Sequence, residues 1–428
     1  MARVLILGGY GLIGSACLRA LRAAGFDVVG MGRSEVSARA VAPDVDWVIR
    51  DIPSVSVEEW RGILDRVDVV VNASGVLQDG ARDDVDAIHV AAVERLVAAL
   101  GPRRLVQISA AGVSPHASTA FFQTKAQGDA VVATAADWVI LRPTLVVAPE
   151  AYGGTALVRA AAALPLVAPD VLPHAQIQTV AVEDVALAVV AAAEGRVPSG
   201  IIADLTEAEA RSLPELIAAI RRWQGWPAAR VRVPVPRPLL RVIGWAADGV
   251  GHLGWRSPLR STALAVLQDG VRGDPAAWAA AGGAPCRSLA ESLAGLPATR
   301  QERLFARAFL ALPVAVGALA LFWVLSGLIA LMDVPRAMAI LTDRGASSAF
   351  AGITVVGGAV ADIGLGLAIC WRLWARRAAL GMVALSGAYL LGSLIFAPDL
   401  WADPLGPMVK VIPALVLAVL VSLLLEER

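Results

Sequence analysis

Residues 3–14 read RVLILGGYGLIG, and this stretch decides how the first half of the chain folds. RVLIL is a short apolar run of the kind that forms a buried parallel strand. GGYGLIG follows without a spacer, and SACLRALRAAG continues as an apolar, helix-length segment. A strand, a glycine turn and a helix in one unit are the context that raises such a motif above chance. Gly8 permits the tight turn, Gly11 lets backbone approach a pyrophosphate, and Gly14 lets the helix pack on the strand. The helix N-terminus then offers unpaired N–H groups to phosphate. The motif predicts a dinucleotide cradle built from Gly8, Gly9, Tyr10, Gly11, Leu12, Ile13 and Gly14.

Working outward, FDVVGMGRS predicts a second strand that ends at Arg33. A site selective for NAD normally has an acidic residue here, to hold the ribose 2′-hydroxyl. An arginine suits a 2′-phosphate instead. Arg33 with Ser34 therefore favours NADP(H) over NAD(H). Further strands are expected at 45–50, 68–72, 104–109 and 138–141, separated by helical segments such as 84–100. This alternation predicts an α/β doubly wound parallel sheet, a Rossmann fold. Asp51, Ile52, Ala73, Ser74, Gly75 and Ser109 fall at the carboxyl ends of its strands and should line the cofactor crevice.

FFQTKAQ, residues 121–127, has the form of a Y-x-x-x-K signature whose tyrosine is Phe121. With G-x-x-G-x-x-G at 8–14, Asp51–Ile52, NASG at 72–75, ISA at 108–110, LRPT at 141–144 and VEDVA at 182–186, residues 1–210 resemble the short-chain dehydrogenase/reductase superfamily, in its atypical and extended branches. Within it the chain is similar to the group of the NADPH-binding accessory subunit of respiratory complex I. The resemblance implies that Asp51 contacts the adenine and Lys125 the nicotinamide ribose. It also implies that 143–145, with Pro143 and Thr144, lie near the nicotinamide. Two departures bear on catalysis. Phe121 has no hydroxyl, and the usual serine position past the strand holds Ala110 and Ala111. Ser109 is the nearest hydroxyl, so Lys125 and Ser109 are the candidate catalytic residues. The chain's three tyrosines leave Tyr10 and Tyr152 as alternative acids. Lysine is otherwise scarce. Of 37 basic residues only Lys125 and Lys410 are lysine, so each calls for a specific explanation.

The second half of the chain has another composition. Residues 1–303 hold 59 charged side chains and 304–428 only 15, within an overall 57% hydrophobic and 17% charged. Four apolar stretches, 309–331, 349–371, 378–398 and 405–425, each reach the roughly 20 residues that cross a bilayer. Between the halves, 211–303 is rich in Pro, Arg and Trp, with helical stretches near 213–223, 237–253, 258–270 and 275–281. The segment 236–256 fits either a membrane-surface helix or packing on the Rossmann core. The expected domains are 1–210, a helical substrate or connector lobe at 211–303, and an all-α four-helix transmembrane bundle at 304–428. DPLGPMVKVIP at 403–413 and PATRQERLFARAFL at 297–310 give residues 297–428 a resemblance to the DoxX-like membrane domains.

Arg300, Arg303 and Arg307 precede the first stretch, and Arg372, Arg376 and Arg377 lie between the second and third. Positive-inside then predicts cytoplasmic termini and a cytoplasmic Rossmann domain on a bacterial-type inner membrane. The chain opens directly on a strand, which predicts no signal peptide. Inside the second stretch Gly358, Asp362 and Gly366 share one helical face, which directs Asp362 into the bundle. Lys410 is placed to snorkel outward or to meet Asp333. The scattered Cys17, Cys286 and Cys370 and four histidines predict no metal site, and a net charge of zero argues against nucleic acid. Two functions fit this reading. One is an oxidoreductase or epimerase acting on a membrane-soluble substrate such as a quinone, lipid or isoprenoid. The other is a non-catalytic NADPH-binding protein with a structural, assembly or redox-sensing role, joined to a membrane-protein partner through the bundle.

Overall fold

The computed structural model describes residues 1–80, 84–255 and 257–425. Seven strands form one parallel sheet: β1 (Arg3–Leu7), β2 (Asp27–Gly32), β3 (Asp46–Ile49), β4 (Val69–Asn72), β5 (Arg104–Ile108), β6 (Asp137–Pro143) and β7 (Ile201–Leu205). Their spatial order is β7-β6-β5-β4-β1-β2-β3, a doubly wound sheet whose winding reverses between β1 and β4. Leu7 pairs with Met31 and with Asn72, and Asn72 pairs with Gln107. The carboxyl ends of the central strands therefore line up along one edge.

Six helices cover this sheet, α1 (Leu12–Ala23), α2 (Glu35–Val41), α3 (Val57–Leu64), α4 (Ala92–Leu100), α5 (Ala120–Val132) and α7 (Val182–Ala193), while α6 (Gly153–Ala162) packs apart from it. Successive side chains of a strand face opposite ways, so β1 feeds two cores. Val4 and Ile6 pack with Leu18, Leu21 and Val189, while Leu5 and Leu7 pack with Trp60, Leu96 and Leu100. Burying each such side chain is worth about 1.5–3 kcal/mol, more than any local propensity, so RVLIL is held by both faces. β7 completes the edge against β6 and was absent from the strands expected by sequence.

α8 (Leu213–Trp223), α9 (Arg237–His252), α10 (Ser261–Asp269), α11 (Ala276–Ala280) and α12 (Leu289–Ala294) follow, the first four where helices were expected. Leu213, Leu216, Ile217 and Ile220 of α8 join Val158, Ile177, Leu240 and Leu289 in a third core. Beyond it run α13 (Arg300–Met332), α14 (Val334–Thr342), α15 (Ser348–Ala368), α16 (Arg372–Phe396) and α17 (Val411–Leu424). Among the described residues three helices, α13, α15 and α16, are long and apolar enough to cross a membrane. The fourth expected span, 405–425, is helical only from Val411. Pro404, Gly406 at φ +58° and Pro407 break the preceding chain, which leaves 14 residues, about 21 Å at 1.5 Å per residue. The chain divides into two compact units, Met1–Asp248 with Ser257–Ala306, and Gly249–Arg256 with Arg307–Arg428.

Candidate functional site

The glycine turn forms as its sequence demands. Gly8 has φ +70°, and a Cβ there would lie 2.9 Å from Ala73 O and 3.1 Å from Ser74 Cα. The turn thus sits against the end of β4, bringing Gly8 together with Ala73 and Ser74. A Cβ on Gly14 would approach Gly8 O to 2.2 Å, so α1 rests directly on the turn. Gly11 is the N-cap of α1, no side chain caps it, and the first turn has no acidic residue. An anion therefore meets N–H groups and the positive end of the helix.

At the end of β2 the ring of Tyr10 lies over Gly32, where a Cβ would come within 2.3 Å of it. Tyr10 Oη accepts from the Arg33 N–H at 3.2 Å, and its ring lies 6.1 Å from that of Trp47. Arg33 is exposed, and Ser34 caps α2 by accepting from the Ser37 N–H at 3.2 Å. Asp51 is exposed at the end of β3 and Ile52 is buried beside it. Leu12 and Ile13 pack partly into the first core. Pro143 ends β6, and Thr144 donates toward Leu205 O and Thr206 Oγ1 at the end of β7.

Between β4 and β5 the chemistry concentrates. Lys125, on α5, is 6% exposed, and its Nζ donates to Ile108 O at 3.0 Å. A Cβ on Gly75 would lie 3.3 Å from this Nζ and 3.2 Å from His89 Nε2, so a larger residue would crowd both groups. Burial pulls the Lys125 ammonium down from 10.5 to about 8, against the opposing charge of Asp129. His89 Nε2 accepts from the Val76 N–H at 3.2 Å, so the ring carries its proton on Nδ1, which meets Thr124 Oγ1 at 2.9 Å. Burial, and then the charge of Lys125, lower His89 to about 3 and keep it neutral. The Phe121 ring stands edge-on to His89 at 5.7 Å and against Phe122 at 5.2 Å.

Ser109 does not open onto the crevice as a free hydroxyl. Its Oγ donates to Asp129 Oδ2 at 2.8 Å, where Arg142 Nη2 also donates at 2.8 Å. Asp129 is 4% exposed, and burial raises its carboxyl despite Arg142, Ser109 and Lys125. Its Oδ1 has no hydrogen-bond partner among the described residues. Of the two tyrosines expected as alternative acids, Tyr10 is committed to the end of β2 and Tyr152 is 63% exposed at the N-cap of α6.

Asp129, Arg142 and His89 escaped the sequence reading. The i+4 spacing of Asp129 from Lys125 was the one available signal. His89 and Arg142 join the site only through the packing of α5 against the segment 87–91 and against β6.

A dinucleotide fits these residues. The glycine cradle excludes side chains, the N-terminus of α1 is uncapped, and a buried ammonium lies beside the open Cα of Gly75. Residues 4–202 match the NAD dependent epimerase/dehydratase family, and residues 320–419 match the DoxX-like family. The chain joins an epimerase-type domain to a DoxX-like domain. No curated protein matches it. Among solved structures it is similar to the Bordetella bronchiseptica enzyme WbmH in complex with NAD+, with a TM-score of 0.52 and 19% identity over 69% of this chain and 97% of that one. WbmG of the same organism, in complex with NAD, gives 0.52 and 17% over 68% and 92%. The terminal R domain of the myxalamid PKS-NRPS pathway gives 0.53 and 20% over 72% and 92%. At these identities the likeness is one of fold.

The DoxX-like domain holds a polar site of its own. Asp362 is 5% exposed and accepts from Tyr389 Oη at 2.8 Å and Ser326 Oγ at 3.0 Å. The expected small face makes this contact: a Cβ on Gly358 would meet Tyr389 Oη at 2.8 Å, and one on Gly366 would meet Val324. Lys410 is exposed at the N-cap of α17, and the Asp333 carboxylate caps α14 through the Arg336 N–H.

Proposed function

We propose that this chain is a membrane-anchored NADP(H)-dependent oxidoreductase whose acceptor is a membrane-soluble quinone-like compound rather than a simple carbonyl. The observation that supports it is the pairing of a retained, buried Lys125 with a phenylalanine ring, packed on His89, where an acid would stand. When bound, the reduced cofactor supplies a hydride. The residues of the chain then divide the remaining work. The N-terminus of α1 and Gly8, Gly11 and Gly14 hold the pyrophosphate, and Arg33 with Ser34 meets a 2′-phosphate. Asp51 reaches the adenine, Lys125 the ribose, and the Pro143–Thr144 segment backs the nicotinamide.

Phe121 leaves no phenol to donate a proton at the tyrosine's place, and that selects the acceptor. A ketone that takes a hydride becomes an alkoxide, far too basic to form without an acid beside it. A quinone becomes a phenolate, whose conjugate acid has a pKa near that of tyrosine, about 10, and which takes its proton from water afterwards. Losing general acid catalysis costs a carbonyl substrate roughly 10²–10⁴-fold and a quinone much less. The apolar helices of the DoxX-like domain favour a substrate that dissolves in lipid.

The reading includes a cytoplasmic Rossmann domain with both termini on that side of an inner membrane, supported by the six arginines at 300–307 and 372–377. The test is NADPH oxidation by the detergent-purified full chain with a short-chain quinone and with a ketone, repeated on Phe121→Tyr. Quinone turnover well above ketone turnover is expected, with Phe121→Tyr raising the ketone rate selectively. No turnover with either acceptor, while NADPH binds, would leave the chain a non-catalytic nucleotide-binding protein and overturn the proposal.

A further inference from the structure

Helix α9 exposes three apolar side chains at three-residue spacing in its first half. Leu239, Val242 and Trp245 are 49%, 56% and 69% exposed, and Val250 near the end of the helix and Leu253 just past it are exposed as well. The opposite face is occupied. Leu240 is buried in the third core, and a Cβ on Gly244 would lie 3.3 Å from Leu264 of α10. Neither packing nor polarity therefore accounts for the outward side chains, and in water they carry an unfavourable exposure.

Charge narrows the choice of partner. Residues 216–247 contain six arginines and no acidic residue, in a chain whose net charge is zero. Arg222, Arg230, Arg232, Arg237 and Arg241 of this run are exposed. An apolar stripe flanked by arginines matches an anionic lipid leaflet, with the stripe at the acyl boundary and guanidinium groups at the phosphates. The end of the helix is tied to the membrane helices themselves. Trp255 Nε1 donates to Cys370 O at 2.6 Å, and Leu253 O accepts from the Arg372 N–H at 3.0 Å. Cys370 and Arg372 join α15 to α16, where Arg377 also lies over the Trp374 ring at 5.2 Å. Basic and aromatic side chains of this kind mark the membrane–water interface.

We propose that α9 is an interfacial membrane helix: Leu239, Val242 and Trp245 enter an anionic leaflet, and Arg237 and Arg241 contact its phosphates. The helix lies along the bilayer surface rather than across it, since its 16 residues span about 24 Å, short of a hydrocarbon core of roughly 30 Å. This inference does not depend on any redox activity.

The test is site-directed spin labelling of the full chain in liposomes containing phosphatidylglycerol. Single cysteines are placed at Val242, Trp245 and, as a water-exposed reference, Val36, with Cys286→Ser and Cys370→Ser and with buried Cys17 retained. Oxygen accessibility relative to a nickel chelate is expected to be several-fold higher at 242 and 245 than at 36. In phosphatidylcholine liposomes the difference should shrink. A second measurement leaves the native cysteines in place: Trp245→Leu should reduce the quenching of tryptophan fluorescence by brominated phosphatidylglycerol. Labels at 242 and 245 as accessible to the nickel chelate as at 36 would overturn the proposal. So would dipolar broadening between these labels, which would put a second copy of the chain, not lipid, on the stripe.

Discussion

Two cations carry the proposed nucleotide preference and its pH dependence. Arg33 stands at the end of β2, where a 2′-phosphate would sit. A charge-assisted contact there is worth about 1.5–3 kcal/mol, so Arg33→Ala is expected to lower the preference for NADPH over NADH about tenfold or more in titration calorimetry. Lys125 carries a pH dependence whose sign follows from burial. Its charged form persists only below about 8, not 10.5, so NADPH affinity should fall as pH rises through about 8. Lys125→Ala should bind weakly throughout and show no step at that pH. The free protein should behave the opposite way. Because the unfolded chain binds more protons between about 8 and 10.5, thermal stability without nucleotide should gain from Lys125 as pH rises through that window. Lys125→Arg is expected to bind nucleotide weakly too, because a wide planar fork would take the place of a compact ammonium that donates to Ile108 O at 3.0 Å.

At the scale of elements, the strand–turn–helix unit is held by contact distances as much as by hydrogen bonds. Gly14 is the tightest point, since its missing Cβ would overlap Gly8 O. Gly14→Ala should push α1 off the turn and cost about 1–3 kcal/mol by overpacking, with nucleotide affinity falling along with the melting temperature. Gly25, by contrast, has φ +86° with no atom within 4 Å of a Cβ, so Gly25→Ala should lose only the backbone preference and leave binding unchanged. Comparing the two variants by melting temperature and by NADPH titration separates crowding of the cradle from simple strain. In the DoxX-like domain, Asp362 is bound by hydroxyls from two neighbouring helices, α13 and α16. A carboxyl in that setting is a helix-packing device as well as a functional candidate.

At the scale of the molecule, helix length bears on how many times the chain crosses the membrane. α13, α15 and α16 each span a bilayer by length, and α17 is about 21 Å long against a core of roughly 30 Å. Reporter fusions after residues 340 and 402 are expected outside, and a fusion after 375 inside. A fusion after 428 should read inside if α17 and the preceding turn cross together, with local thinning of the bilayer. A 428 fusion reading outside would give three crossings and place the C-terminus opposite the Rossmann domain. An outside signal at 375 would reverse the arginine-based orientation altogether.

The sequence by itself determined the sheet, the glycine turn and the apolar character of the last quarter, because each rests on local signals. Those signals are strand-length apolar runs, a glycine pattern at fixed offsets and stretches of bilayer length. It also marked Lys125 through the rarity of lysine, and Phe121 through the missing hydroxyl. Tertiary structure alone decided the surroundings of that pair. His89 comes from the segment before α4 and Arg142 from β6, with no spacing rule to connect them, and only Asp129, one turn along α5, had its i+4 spacing as a signal. The commitment of Ser109 to Asp129 and of Tyr10 to the Arg33 N–H were likewise beyond the sequence, since a hydroxyl's partner is set by whichever donor or acceptor packing brings within 3 Å or so. The shortened α17 shows the limit from the other side. Hydropathy measured how apolar 405–425 is, but the proline and glycine dihedrals of DPLGP decided where helix could begin.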